Sequence, residues 1–257
     1  MVLFLLCGVL SWLSARELAV IFTANSIPAS KRIMTGAAVL GLLASVIVPA
    51  RLPAPTAVAI VSSAAIAVLL ASLIFHSRHR TVEGVVAAAG GSLLAFVYLG
   101  LMFGFVLAIR REHTVWVLLW VVLVTKSCDI GAYFTGKSVG RHKLIPWLSP
   151  GKTWEGLIGG VVLATIVGTA GLWAIGLWTA EPRLPWWAGL SAGVLFGLTG
   201  QMGDLIASLF KRDAGLKDSS SILPGFGGIL DVLDSPLLVA PVAYWWLQAA
   251  YGSDPLA

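Results

Sequence analysis

Charged residues are scarce in this sequence. Of its 257 residues only 11% are charged, with 17 Lys and Arg against 12 Asp and Glu, whereas 58% are apolar and the mean hydropathy is +0.92. So few charges cannot cover the surface of a water-soluble protein of this size, which excludes a soluble globular enzyme. They also argue against nucleic acid as a partner. The sequence therefore predicts a polytopic integral membrane protein.

Cysteine is scarce as well. Cys7 and Cys128 are the two cysteines, and both lie in apolar stretches. Two isolated cysteines supply neither a disulfide framework nor a zinc site. A basic region ahead of the first apolar stretch is also missing, so residues 1–15 are interpreted as part of a membrane span and not as a signal peptide.

Long apolar runs are abundant. Eight runs have the length of about 20 residues with which a helix crosses a hydrocarbon core of roughly 30 Å. A helix satisfies its backbone hydrogen bonds internally, as lipid requires, which predicts an all-α fold with about eight transmembrane helices. The 11 Trp residues are typical of the aromatic belts at the two interfaces. The predicted spans are residues 2–22, 33–49, 56–75, 84–109, 114–134, 156–178, 187–207 and 228–250.

Basic residues are distributed unequally between the connecting segments. The first, third, fifth and seventh connections hold eleven of the 17 Lys and Arg, and the even-numbered connections hold four. The positive-inside rule then places the odd-numbered connections in the cytoplasm and both termini outside, and the size suits a bacterial inner membrane. The eleven residues are Lys31, Arg32, Arg78, Arg80, Lys137, Arg141, Lys143, Lys152, Lys211, Arg212 and Lys217.

Acidic residues gather at the same predicted face. Seven of the 12, all from the C-terminal half of the chain, converge on this face. Ionisable groups inside a membrane segment are costly and normally face a partner, a cavity or an ion. Neutralisation of nearby Lys and Arg and a shared functional site both stay open at this point. The seven are Asp129, Glu155, Asp204, Asp213, Asp218, Asp231 and Asp234.

Asp231 and Asp234 lie three residues apart, on one face of a helix. Two carboxylates at this spacing repel each other unless a cation lies between them. Ligands that are all oxygen favour Mg²⁺ over zinc. Because Ser235-Pro236 suits both a helix start and a kink, the two acids belong either to the last span or to a short helix before it.

Two segments favour phosphate binding. The glycine-rich sequence 223–228 precedes Asp231, and exposed amides at a helix start attract phosphate, although an ordinary turn is the alternative. The fifth connection, residues 136–153, carries four Lys and Arg residues together with His142, a density typical of polyanion binding. This connection ends like a P-loop, but Pro146 stands where that motif requires glycine, which argues against an ATPase.

Arg16 and Glu17 are adjacent within the first predicted span. Neighbouring residues on a helix do not face each other, so this pair cannot be assumed to form an ion pair. Either both side chains bind partners from other helices, or the first span is shorter than residues 2–22.

The C-terminal half resembles a known family. Residues 208–234 are similar, without a gap, to the signature of phosphatidate cytidylyltransferases, also called CDP-diacylglycerol synthases. Residues 129–136 and 149–156 resemble the second characteristic block of that family. Phe226 and Val232 depart from the pattern, where the family commonly has His and Arg. The matching positions of the signature are Ser208, Lys211, Arg212, Lys217, Asp218, Pro224, Gly227, Gly228, Asp231 and Asp234.

The resemblance implies that CTP and phosphatidic acid, a membrane lipid, react to CDP-diacylglycerol and pyrophosphate with Mg²⁺. The lipid phosphate is itself the nucleophile, so no activated Ser or Cys is needed. The implied catalytic residues are Asp231, Asp234, Asp218 and Lys217, and the implied metal ligands are Asp231, Asp234, Asp204 and Asp218. The implied substrate-binding residues are Ser208, Lys211, Arg212, Lys152, Gly227, Gly228, Asp129 and Glu155.

Two other functions stay open. A CTP-dependent lipid-alcohol (polyprenol) kinase would use similar residues but move the γ-phosphoryl group, and a cation-coupled transporter also carries acids inside its helices. The predicted organisation is a set of N-terminal membrane helices in residues 1–110 and a catalytic region in residues 111–257. Its cytoplasmic loops are predicted at 135–155 and 208–227, so the active site faces the cytoplasm. Association into a homodimer is compatible with the sequence.

Overall fold

The computed structural model describes residues 1–47, 54–78, 82–220, 222, 225 and 227–252. Within these residues the chain forms nine α-helices, one π-helical segment and two short strands. The π-helical segment, Ala95–Leu101, joins α4 to α5. The helices are α1 (Val2–Ala24), α2 (Lys31–Ile47), α3 (Ala54–Ser77), α4 (Val85–Leu94), α5 (Met102–Glu112), α6 (Val115–Val139), α7 (Trp154–Trp178), α8 (Trp186–Asp213) and α9 (Ile229–Tyr251).

The predicted spans are confirmed as helices. In the described part of the chain, seven helices are long and apolar enough to cross a membrane, and one of them is the continuous helix Val85–Glu112. The other predicted span is α2, a helix of 17 residues. Positions 48–49 of that prediction, like Arg51 and Arg80, lie outside the described residues.

The exposed apolar surface of helix α3 indicates a lipid environment. Its composition is strongly apolar, yet it buries only Val68, Ser72 and His76. A helix that is apolar on all sides and exposes most of its surface suits lipid and not water. The protein is therefore a multi-pass integral membrane protein.

The described chain divides into two compact units. The first consists of Met1–Leu107 and Phe210–Leu233. Within it, α2 packs against the π-helical segment through Gly41 and Gly100, and a Cβ on Gly100 would lie 2.6 Å from the carbonyl oxygen of Ala38. Small residues at such a crossing let two backbones approach, which is how membrane helices gain packing energy.

The second unit consists of Ala108–Leu209 and Asp234–Ala257. Its core contains an aromatic cluster of Trp120, Phe196 and Trp246, contributed by α6, α8 and α9. The ring centroids of the three pairs lie 5.7–5.8 Å apart in tilted and edge-to-face arrangements. Such geometry adds to the stabilisation that the burial of these large side chains gives.

The segment between α6 and α7 differs from the loop that the sequence predicts at 135–155. Helix α6 continues to Val139, and the strands β1 (Lys143–Ile145) and β2 (Ser149–Thr153) follow as an antiparallel pair, with Lys143 opposite Thr153. The side chain of Thr153 then accepts a hydrogen bond of 3.1 Å from an N–H in the first turn of α7, as a helix N-cap does. The hairpin therefore leads directly into α7.

Helix α8 is longer than predicted. It continues past residue 207 to Asp213, so that Ser208, Lys211 and Arg212 lie on a helix and not in a loop. Basic residues in the last turn interact favourably with the helix dipole, which explains why the helix extends through them. The loop predicted at 208–227 begins after Asp213.

Helix α9 settles the two interpretations of Ser235-Pro236. It begins at Ile229 and runs without a break through Pro236, so the interpretation as a separate short helix is wrong. Membrane helices tolerate an internal proline when neighbouring groups satisfy the freed backbone carbonyl. Asp231 and Asp234 therefore lie on the same helix.

Candidate functional site

A buried ion pair lies at the start of α9, in the first unit. The Lys211 ammonium, from the last turn of α8, is 2.6 Å from Oδ1 of Asp231, and each side chain is 10% exposed. Oδ2 of Asp231 accepts hydrogen bonds from the Ser219 N–H (2.8 Å), the Ser219 hydroxyl (2.9 Å) and the Gly228 N–H (2.8 Å). These donors all stabilise the ionised carboxylate. Lys211, Ser219, Gly228 and Asp231 are called the Asp231 cluster below.

Local sequence explains how this cluster forms. Asp231 is the third residue of α9, and its carboxylate reaches back to the N–H of Gly228 just before the helix, as the acid of a capping box does. Gly227 has a φ of +85°, and a Cβ there would lie 2.6 Å from Oδ2 of Asp231 and 3.4 Å from Cβ of Asp218. Glycine is required at 227 by both conformation and space.

Glu17 lies beside this cluster and was not assigned a function from the sequence. It is 3% exposed on α1, and its carboxylate accepts four hydrogen bonds. Oε1 accepts from the Ser220 hydroxyl (2.7 Å) and the Ile229 N–H (3.0 Å), and Oε2 from the Ser219 hydroxyl (3.0 Å) and the Leu230 N–H (2.8 Å). Glu17 therefore anchors the loop and the first turn of α9 to α1. The signal in the sequence is an acid inside an apolar run.

The second unit has a polar network of its own. Asp129 of α6 accepts from Lys126 on one oxygen (3.1 Å) and from the Gln201 amide on the other (3.0 Å). The Lys152 ammonium, from β2, lies 2.6 Å from the carboxylate of Asp204 and donates to the Gln201 carbonyl oxygen at 3.0 Å. These five residues are called the Asp129 network. The sequence predicted three of them, and the amide of Gln201 is what connects these three.

Glu155 contacts the hairpin. Its carboxylate lies 2.5 Å from Nδ1 of His142 and accepts from the N–H groups of Arg141 (3.1 Å) and His142 (3.2 Å). These bonds fix the start of the hairpin to the first turn of α7. The predicted part of Glu155 in substrate binding stays a prediction.

Asp234 accepts hydrogen bonds from its neighbour in the chain, Ser235. It is 3% exposed, and its Oδ1 accepts from the N–H (2.6 Å) and the hydroxyl (3.2 Å) of Ser235. The two acids are three positions apart on α9, as predicted. Asp231 is bound by a serine as well, and by the Lys211 ammonium in addition.

The other predicted site residues are more exposed. Arg212, Lys217 and Asp218 are exposed, and Arg212 donates to the carbonyl of Leu216 at 3.3 Å. Ser208 is half-buried on α8, and Val232 is half-buried on α9. Pro224 and Phe226 lie outside the described residues.

The donor atoms present suit a hard divalent ion. Among the described residues, no group of three or more His, Cys, Asp and Glu side chains converges. Mg²⁺, however, is usually held by one or two carboxylates together with water and substrate phosphates. The Asp129 network offers two carboxylates and an amide oxygen, which is a chemically suitable set for that ion.

Comparisons with known proteins point to one family. A family model described as the cytidylyltransferase family matches residues 1–250. A phosphatidate cytidylyltransferase of Bacillus subtilis (strain 168) is 40% identical over 156 residues, which is 60% of this chain and 56% of the relative. A phosphatidate cytidylyltransferase of Staphylococcus aureus (strain COL) is 41% identical over 150 residues, 58% of this chain and 55% of that relative. A protein of Escherichia coli (strain K12), "Uncharacterized protein YnbB", is 45% identical over 130 residues, 51% of this chain and 42% of that relative. The chain thus spans about half the length of the curated relatives that it matches.

Proposed function

Because the chain belongs to the cytidylyltransferase family, we propose that it transfers the cytidylyl group of CTP to phosphatidic acid and releases pyrophosphate. Two of its relatives carry the name of that activity. The observation that carries the proposal is the buried pair of Lys211 and Asp231, at a helix end of a membrane protein. Buried charges at such a place are costly and mark functional sites.

The chemistry needs charge compensation more than a protein nucleophile. The phosphate oxygen of the lipid attacks the α-phosphorus of CTP, and the bond to pyrophosphate breaks. Lysine ammonium groups offset the negative charge that builds up on the phosphates as this happens. In our proposal Lys211 and Lys152 do so, each within its own unit, and the acids that bind them fix their positions.

Mg²⁺ is part of the proposal as a cofactor. When bound, it would neutralise phosphate charge and favour the departure of pyrophosphate. We propose its protein ligands within each unit separately, Asp218 and Asp231 in the first and Asp204 and Asp234 in the second. Each of these side chains supplies the hard oxygen that the ion prefers. At Asp231 the ion would take the place of one of the four donors that now bind this carboxylate.

The distribution of basic residues supports one side of the membrane for the reaction. We propose that the substrates meet at the cytoplasmic face of a bacterial inner membrane, where CTP is available and the acyl chains stay among the helices. The excess of Lys and Arg in the odd-numbered connections supports this orientation.

Product analysis tests the proposal. Protein purified in detergent is incubated with CTP, phosphatidic acid and Mg²⁺, and lipid and nucleotide products are separated. We expect CDP-diacylglycerol and pyrophosphate in equal amounts, with no turnover after the divalent ion is chelated. Release of CDP with a lipid alcohol as acceptor would instead support the kinase, and the absence of any lipid-dependent turnover would refute both.

A single substitution tests the Asp231 cluster. Asp231→Asn should abolish Mg²⁺-dependent turnover, by a factor of at least about 100, while the protein still inserts and elutes as a folded species. The matched control is Asp213→Asn, the same chemical change at an exposed side chain. Full activity of Asp231→Asn would show that this carboxylate is not needed.

A further inference from the structure

A cavity in the first unit remains unused by the reaction as proposed above. It has a volume of about 360 Å³ and lies along α1. Two cationic side chains line it, Arg16 from α1 and Lys31 from the start of α2. Three apolar side chains line it as well, and they are Leu13, Val20 and Ile222. Such a lining combines positive charge with an apolar wall.

The two cations are available to a ligand. Among the described residues, no carboxylate oxygen lies within the 4.0 Å ion-pair distance of either Arg16 or Lys31. The guanidinium of Arg16 instead lies over the ring of Trp12, with 4.8 Å from its carbon to the ring centroid. That stacking holds the group in place and leaves its N–H donors for an anion.

The carboxylate in the cavity wall does not neutralise these cations. It belongs to Glu17, whose two oxygens already accept hydrogen bonds from two serine hydroxyls and from two N–H groups of α9. A carboxylate with four donors has little need of a further partner. The single hydroxyl proton of Ser219 is shared between Glu17 and Asp231, and that of Ser220 goes to Glu17. An anion in this cavity would therefore be bound by Arg16 and Lys31.

The apolar wall identifies the kind of anion. Inorganic phosphate or a nucleotide gains nothing from aliphatic side chains such as Val20 and Ile222, which are 39% and 56% exposed. An amphiphile buries its chains against such a surface while its phosphate pairs with the cations. Building on the proposed function, we propose that this cavity binds the phosphomonoester headgroup of the lipid acceptor through Arg16 and Lys31.

The position of the cavity agrees with that assignment. Ser219 lines it, and the hydroxyl of this residue lies 3.0 Å from Glu17 and 2.9 Å from Asp231. One serine thus separates the cavity from the Asp231 cluster. A headgroup held by Arg16 and Lys31 would lie next to the acid that we assign to the reaction.

Binding of lipid is measured first, in the absence of CTP. Thermal stabilisation of the purified protein is compared in micelles that contain phosphatidic acid or diacylglycerol, which lacks the phosphate. We expect Arg16→Gln and Lys31→Gln each to lower the affinity for phosphatidic acid by about tenfold or more, the usual effect of losing one charged hydrogen bond. Arg32→Gln, the same loss of charge at the exposed neighbour of Lys31, is the control and should bind as wild type does. Arg16→Lys keeps the cation and should restore most of the affinity.

Kinetics then separate the substrates. Arg16→Gln and Lys31→Gln should raise KM for phosphatidic acid by about tenfold and leave KM for CTP unchanged. A rise of KM for CTP instead would overturn the assignment to a lipid headgroup. So would inorganic phosphate that binds at this site as tightly as phosphatidic acid and displaces it. Unchanged affinity and KM in both variants would overturn the site itself. If wild type binds phosphatidic acid through these residues but makes no CDP-lipid, the binding site stands and the proposed reaction fails.

Discussion

The carboxylate of Glu17 offers a sharp test of how the first unit is held together. Each of its oxygens accepts from one serine hydroxyl and from one N–H in the first turn of α9. In Glu17→Gln one of these oxygens becomes an NH₂ group. A serine can turn its hydroxyl to accept from that group, but a backbone N–H cannot. One amide at the start of α9 therefore loses its acceptor, whichever way the new side chain is oriented.

The expected loss of stability follows from this one amide without an acceptor. A buried donor without an acceptor costs about 1–3 kcal/mol, and the remaining bonds lose the help of the negative charge. We expect Glu17→Gln to lower the free energy of unfolding by about 2–4 kcal/mol. For a chain of this size that corresponds to a fall of roughly 5–12 °C in the midpoint of thermal unfolding. Turnover should also fall, by about tenfold or more, because Asp231 is positioned by the same turn.

Tryptophan fluorescence of the detergent-purified protein gives the unfolding midpoint. Glu83→Gln makes the same chemical change at an exposed acid of the same unit and should lower the midpoint much less, because interactions of exposed charges contribute little. Ser219→Ala combined with Glu17→Gln should cost less than the sum of the two single changes, since they share a hydrogen bond. A midpoint for Glu17→Gln equal to that of the control would refute the claim that this carboxylate anchors α9.

Two further predictions concern the second unit. Lys152→Met removes the ammonium 2.6 Å from Asp204 and should lower turnover by about tenfold or more. The control Arg78→Gln loses an exposed charge and should keep its turnover. Equal activity of the two variants in a radiolabelled CTP assay would contradict this prediction. Glu181 lies between α7 and α8. Burial raises its pKa, but the hydrogen bonds from the N–H of Thr114 and from His113 together outweigh burial and keep the pKa below the ordinary value of 4.5. Its stabilisation is complete above that pH and is lost as the pH falls through the lowered pKa, so Glu181→Gln should unfold about 1 kcal/mol more easily at pH 7, with the difference shrinking in acid. An equal difference at pH 7 and pH 3 would count against this origin.

Length and hydropathy were enough to predict the membrane helices. A run such as that of α3 has no alternative to a helix in lipid, so its type and approximate bounds follow from composition alone. Helix ends were less accessible, because α8 continues through Lys211 and Arg212, where polarity suggests a loop. The β1–β2 hairpin is too short and too polar to show the alternation by which strands are recognised.

The sequence named Lys211 and Asp231, which the structure brings together, but it did not give all of their partners. Asp231 and Lys211 stand in one signature, so their proximity was within reach of the sequence. Glu17 binds residues more than 200 positions away, and only the fold brings such a pair together. Gln201 lies in an apolar span as a single neutral amide, which gives no signal of the two groups that it connects.

The start of α9 shows how this protein distributes its anion-binding groups. Amides at a helix N-terminus are a ready site for phosphate, and the glycine-rich segment before α9 predicts one. In the structure, the Gly228 amide donates to Asp231 and the next two amides donate to Glu17. A phosphate there would have to displace a carboxylate whose charge already complements the helix dipole. At this turn, the cations without an acid partner in the described chain are therefore better placed than the amides to bind a phosphate, and Arg16 and Lys31 are two such cations.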